Sequence, residues 1–158
     1  MSQSGRNRTL NDGTKLYISK ANWYSLRYPG SWTAEEGEDC TTFSDPENGV
    51  GALQISAYET PTGQDPKDLL LEYLSDYDIS FDGKKLIFQR DNALSTASYS
   101  YSEGPWFKRV WFVSEGNHLL MITYTCKVEH QGKEDREVEK IVHSVTVEAE
   151  NSMSRKAH

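Results

Sequence analysis

Apolar and polar residues alternate along most of this chain, and the alternation predicts a protein built mainly from strands. Leu16 and Ile18 alternate with Tyr17 and Ser19, and a second run, Trp23 to Tyr28, follows after Lys20-Ala21-Asn22. A period of two marks strands with one buried face. Pro29-Gly30 stops the second run, because proline lacks a backbone donor and Pro-Gly favours a turn. Thr41 to Ser44 is short and β-prone, and Leu53, Ile55 and Ala57 alternate with Gln54, Ser56 and Tyr58. Between these two runs, Asp45-Pro46-Glu47-Asn48-Gly49 carries turn chemistry, so they are expected to pair as a hairpin.

The period then changes. Leu69, Leu70, Tyr73, Leu74 and Tyr77 recur at helical spacing, with Asp65 placed to cap the helix, Pro66 in its first turn and Asp68 near its positive end. Four further strand-like runs follow: Leu86 to Arg90, Ala97 to Tyr101, Trp106 to Val113 and Leu119 to Lys127. The turns between them, Asp91-Asn92, Glu103-Gly104-Pro105 and Glu115-Gly116-Asn117, are too short for parallel crossovers, so antiparallel pairing is expected. Trp106 to Val113 is apolar on both faces, as in a central strand covered on both sides. A last helix is expected over Gly132–His143, with Val138, Ile141, Val142 and Val145 on one face and Glu134, Asp135 and Glu137 at its start. Residues 1–13 and 149–158 are polar without periodicity and read as tails around one domain, 14–148. The fold class is α+β, an antiparallel sheet flanked by helices.

Composition narrows the function. The chain has 158 residues, enough for one core without staples. Of its two cysteines, Cys126 falls in an apolar strand pattern and reads as a small core residue, and neither belongs to a CxxC. No signal peptide or membrane-length apolar run is visible, so a cytoplasmic location is expected and no membrane partner. The stretch Thr33 to Gly83 carries thirteen acidic residues against Lys67 alone, a charge of −12, while the rest of the chain is net positive by 5 and brings the total to −7. Such polarity orients a molecule toward a basic partner and argues against nucleic acid.

Chemistry-bearing patterns are sparse. His118, His130, His143 and His158 show no metal-ligand spacing, and no metal or cofactor is expected. There is no GxSxG, GxGxxG or phosphate-cradling motif. Trp106, Phe107, Lys108, Arg109 and Trp111 alternate aromatic and basic groups, which suits core packing better than base stacking in an acidic chain. Glu35, Glu36, Glu38 and Asp39 cluster in a segment that reads as a loop. Acid–base catalysis needs carboxylates held in a cleft, so this cluster is assigned instead as the candidate partner-binding site.

Tyr24-Ser25-Leu26-Arg27-Tyr28-Pro29-Gly30-Ser31-Trp32, together with Thr42-Phe43-Ser44-Asp45-Pro46 and the strands Leu53 to Tyr58 and Leu119 to Thr125, resembles the PsbP-like superfamily, the group of the photosystem II extrinsic P subunit and the Ran-binding protein Mog. The resemblance spans roughly Leu16 to Val147. It implies an α/β/α sandwich on an antiparallel sheet and a non-enzymatic role in binding or stabilising other proteins. No metal-site or Ran-binding residue is carried over. The expected function is therefore a protein-binding or adaptor module for a partner with a basic surface, in one form a chaperone or immunity protein dedicated to a single partner. The alternatives are a carrier for a small apolar ligand held by Trp and Tyr residues, and an enzyme without a recognisable motif.

Overall fold

The computed structural model describes residues 4–59, 64–91 and 94–147. The start of the expected tail 1–13, the turn position Asn92 and the expected tail 149–158 lie outside these residues. In chain order the elements are β1 (Arg6–Thr9), β2 (Lys15–Ile18), β3 (Tyr24–Tyr28), β4 (Thr33–Glu36), β5 (Thr41–Ser44), β6 (Gly51–Glu59), α1 (Pro66–Asp76), β7 (Ile87–Asp91), β8 (Leu94–Glu103), β9 (Trp106–Glu115), β10 (His118–Lys127), α2 (Asp135–His143) and β11 (Thr146–Val147).

The strands form two sheets. The larger has seven strands in the order β4-β5-β6-β10-β9-β8-β7, and the smaller has four in the order β1-β2-β3-β11. Neighbours are antiparallel throughout. Tight turns join β8 to β9 and β9 to β10, and their glycines Gly104 and Gly116 sit at φ of 60° and 61°, where a side chain would be strained.

Because side chains alternate across a strand, the seven-stranded sheet buries two separate clusters. On one face Leu70 and Leu74 of α1 pack with Ala97, Tyr99, Val110 and Phe112. On the other, Leu53, Ile55, Trp111, Leu120 and Ile122 pack with Tyr24, Leu26 and Tyr28 of the small sheet and with Val138 and Ile141 of α2. Strand β9 feeds both clusters, as its two apolar faces require. The α+β class with an antiparallel sheet holds. The layer opposite α1 is built by the four-stranded sheet and α2 together, which refines the simple helix–sheet–helix layering that the resemblance implies.

Three local expectations change. Residues before Gly13 are not all tail, because Arg6–Thr9 pairs with β2 in the register Arg6↔Ile18 to Thr9↔Lys15. Its side chains are exposed, so no apolar period announces it. The acidic segment expected as a loop begins as strand β4, pinned by its register Thr33↔Ser44 to Glu36↔Thr41 with β5. The last helix starts at Asp135 rather than Gly132, whose φ of 92° is outside helical space.

Candidate functional site

Strand β4 exists because its entry is anchored. Trp32 is buried at 3% exposure, and its amide donates to the Pro29 carbonyl at 3.0 Å, which turns the chain after Tyr28-Pro29. Lys15 Nζ donates to the Trp32 carbonyl at 3.2 Å. Tyr28 in turn meets Phe43 of β5 edge-on, ring centres 5.2 Å apart. The two sequence fragments that suggested the fold are thus one packed contact across the sheets.

At the far end of β4 the Gly37 amide donates to the Cys40 carbonyl at 2.7 Å, which closes the hairpin and places Glu38 and Asp39 at its tip. Glu35, Glu36, Glu38 and Asp39 are all exposed. They do not play one role. The Glu36 carboxylate accepts from the Tyr17 hydroxyl at 2.7 Å and from the Gly5 amide, so it ties the edge strand to the small sheet. Tyr17 also lies 3.1 Å from the Thr41 hydroxyl. Burial, reinforced by the bond to Glu36, pushes the Tyr17 hydroxyl well above its ordinary value, and burial pushes Tyr24 up to about 12.

Beside the hairpin tip lies an open pocket of about 220 Å³. Glu38, Asp39 and Cys40 form one wall, Trp23 and Tyr24 another, and Lys20 stands at the rim. The turn that carries Lys20 is bent by Ala21 and Asn22, both at φ 58°, a conformation that asparagine tolerates and alanine resists. Trp23 is held by stacking on His118, ring centres 4.7 Å apart. Glu38 and Asp39 therefore share a concave surface, whereas Glu35 and Glu36 do not line it. Sequence reasoning found the acidic residues and missed the pocket, because its walls come from 17–24, 37–41 and β6, and no local pattern links them.

The remaining chemistry-bearing residues are dispersed. Cys126 is buried in β10, where burial pushes its thiol up, and both cysteines are free. Trp111 is buried with the Arg109 guanidinium 4.5 Å from its ring centre, whereas Trp106 is 43% exposed. His143 Nε2 lies 3.5 Å from Glu139 Oε1 near the end of α2. Among the described residues no three His, Cys, Asp or Glu side chains come together in a way that could hold a metal ion. Also among the described residues, no helix is long and apolar enough to cross a membrane.

An antiparallel seven-stranded sheet, with α1 on one face and a small sheet plus α2 on the other, defines a PsbP-like fold. The solution structure of cyanobacterial PsbP (CyanoP) from Synechocystis sp. PCC 6803 superposes with a TM-score of 0.60 over 92% of this chain and 93% of that one, at 10% identity. A crystal structure from Bacteroides thetaiotaomicron VPI-5482 superposes with a TM-score of 0.65 at 21% identity, covering 88% of this chain and 50% of that one. This chain thus spans about half the length of the Bacteroides protein. The chain belongs to the family described as Domain of unknown function (DUF3805), which matches residues 12–157. No curated protein matches the sequence.

Proposed function

We propose that this domain is a non-enzymatic protein-binding module that captures a basic surface of a partner through the acidic tip of the β4–β5 hairpin. The observation that carries the reading is the convergence of Glu38 and Asp39 on a concave, aromatic-walled pocket at a sheet edge. Among the described residues, Glu35, Glu38 and Asp39 take part in no ion pair, unlike Glu103 with Lys108 and Glu139 with Arg109. Unneutralised surface carboxylates accelerate encounter with a cationic partner and reject acidic ones. The pocket is smaller than the ~300–1,000 Å³ typical of small-molecule sites. A single basic side chain fits this volume, with the carboxylates facing its charge and Trp23 flanking its stem.

The test is affinity capture from the source cell at low and high salt, with a variant carrying Glu35→Gln, Glu38→Gln and Asp39→Asn. Glu36 is left intact because it holds the fold together. A partner retained by the parent and lost both in the variant and in high salt supports the reading. A partner retained equally by both forms moves the binding surface elsewhere.

A further inference from the structure

Strand β11 ends beside the acidic pocket. Val147 stands opposite Tyr24 in the β3–β11 register, and Tyr24 is one of the pocket's walls. Facing residues of antiparallel strands lie about 5 Å apart, so the chain leaves β11 next to the site. The register Thr146↔Ser25 and Val147↔Tyr24 also sets its heading. It runs toward Trp23, which precedes Tyr24 and lines the same pocket.

The sequence beyond Val147 supplies the complementary charge. Residues 148–158 read EAENSMSRKAH, with Arg155 and Lys156 adjacent after the uncharged run 151–154. The family match reaches residue 157, so these cations belong to the family's domain. Arg155 lies eight positions after Val147, about 26 Å of fully extended chain. That is several times the separation of Val147 from Tyr24, so Arg155 can return to the pocket without disturbing β11.

The pocket lining selects between the two cations. It holds two carboxylates, Glu38 and Asp39, against one cation, Lys20, and its aromatic walls are Tyr17, Trp23 and Tyr24. His118 stacks on one face of Trp23 and is not part of the lining, which leaves the other face of the indole for a ligand. A guanidinium is planar, so it stacks on that ring while its N–H fork meets the carboxylates. An ammonium has no flat face to stack, so Arg155 fits better than Lys156.

We propose that the C-terminal segment 148–158 docks Arg155 in the pocket of its own chain, against Glu38, Asp39 and Trp23, and so competes with any partner for the hairpin tip. The proposal rests on the reading of this pocket as a site for a basic side chain and adds its regulation. A short tether gives an effective concentration on the order of millimolar. A single side chain of millimolar affinity then fills the pocket about half the time, and a partner's apparent affinity falls about 2-fold. The segment thus acts as a weak, displaceable occupant that discriminates against weak cationic competitors.

The experiment is NMR of the full chain beside a full-chain variant carrying Arg155→Gln and Lys156→Gln. The variant is expected to keep the parent's melting temperature and to shift the Trp23 indole signal and the amides of residues 38–41, all remote from 155 in sequence. A synthetic peptide of residues 152–158 is then titrated into both proteins. It is expected to bind the variant in the millimolar range, to return those signals toward their parent positions, and to bind the parent at least about 2-fold more weakly. The same peptide with Gln at both cations does not bind, and adding Glu38→Gln and Asp39→Asn to the variant abolishes binding. The proposal is overturned if the pocket signals do not move in the variant, or if the peptide binds parent and variant equally. It is also overturned if the difference between parent and variant grows with protein concentration, which would give the pocket to a second copy. The partner reading fails separately, in affinity capture: a partner retained by the hairpin variant sinks that reading and leaves the peptide result intact.

Discussion

The Tyr124 hydroxyl donates a 2.6 Å hydrogen bond to the Glu134 carboxylate, and both residues are buried, at 2% and 8% exposure. Tyr124 is on β10 near the middle of the large sheet, and Glu134 immediately precedes α2, so this one bond sets the helix on the sheet. Gly51 on β6 makes room for it: a Cβ there would come within 2.5 Å of the Tyr124 hydroxyl. Tyr124→Phe leaves a buried carboxylate without its donor, and the expected loss is about 1–3 kcal/mol of unfolding free energy. Gly51→Ala is expected to destabilise by displacing the same ring. Urea denaturation of both variants checks this, and an unchanged midpoint for Tyr124→Phe would show that the bond contributes nothing.

Stability is expected to fall at alkaline pH for a definite reason. Burial raises Tyr24 to about 12 and raises Tyr17, Tyr101 and Tyr124 further. A group that holds its proton more tightly when folded contributes stability that is fully present below its unfolded value near 10. That contribution is lost as pH rises from 10 through 12. Absorbance titration of tyrosinate should therefore show a slow-ionising group of residues that titrates only with unfolding. Ionisation of every tyrosine near pH 10 in folded protein would contradict this.

Gly30, in the turn between Tyr28 and Trp32, is irreplaceable for a steric reason. A Cβ at Gly30 would stand 2.1 Å from the Gly13 carbonyl oxygen, which is backbone and cannot rotate away. Gly30→Ala is expected to cost about 1–3 kcal/mol, typical of overpacking. Thermal melting checks it; Ser31→Ala, at an exposed neighbour, is the control and is expected to change little.

The four acidic residues of the candidate site are expected to separate by phenotype. Glu36→Ala removes the acceptor of the Tyr17 hydroxyl and the Gly5 amide and is expected to lower stability by about 1 kcal/mol. Glu38→Gln is exposed at the hairpin tip and is expected to leave the melting temperature unchanged while weakening partner capture. Equal effects of both substitutions on melting would show that the tip is also structural.

Periodicity alone determined much of this protein. The strands from Tyr24 to Tyr28 and from Trp106 to Lys127, the β5–β6 hairpin and both helices follow from apolar spacing and turn residues, because burying one face forces a period of two or 3.6 on any sequence. The Asp65 side chain accepts from the Lys67 amide at 2.9 Å, as its position before Pro66 predicted. The acidic cluster was likewise legible, since charge is a local property. Strands β1 and β4 were not, because both are mostly polar edge strands, ordered by pairing with a neighbour rather than by a buried face of their own. Nor was the concave surface. It is assembled from segments far apart in the chain, so which residues line it was decided only when the two sheets packed.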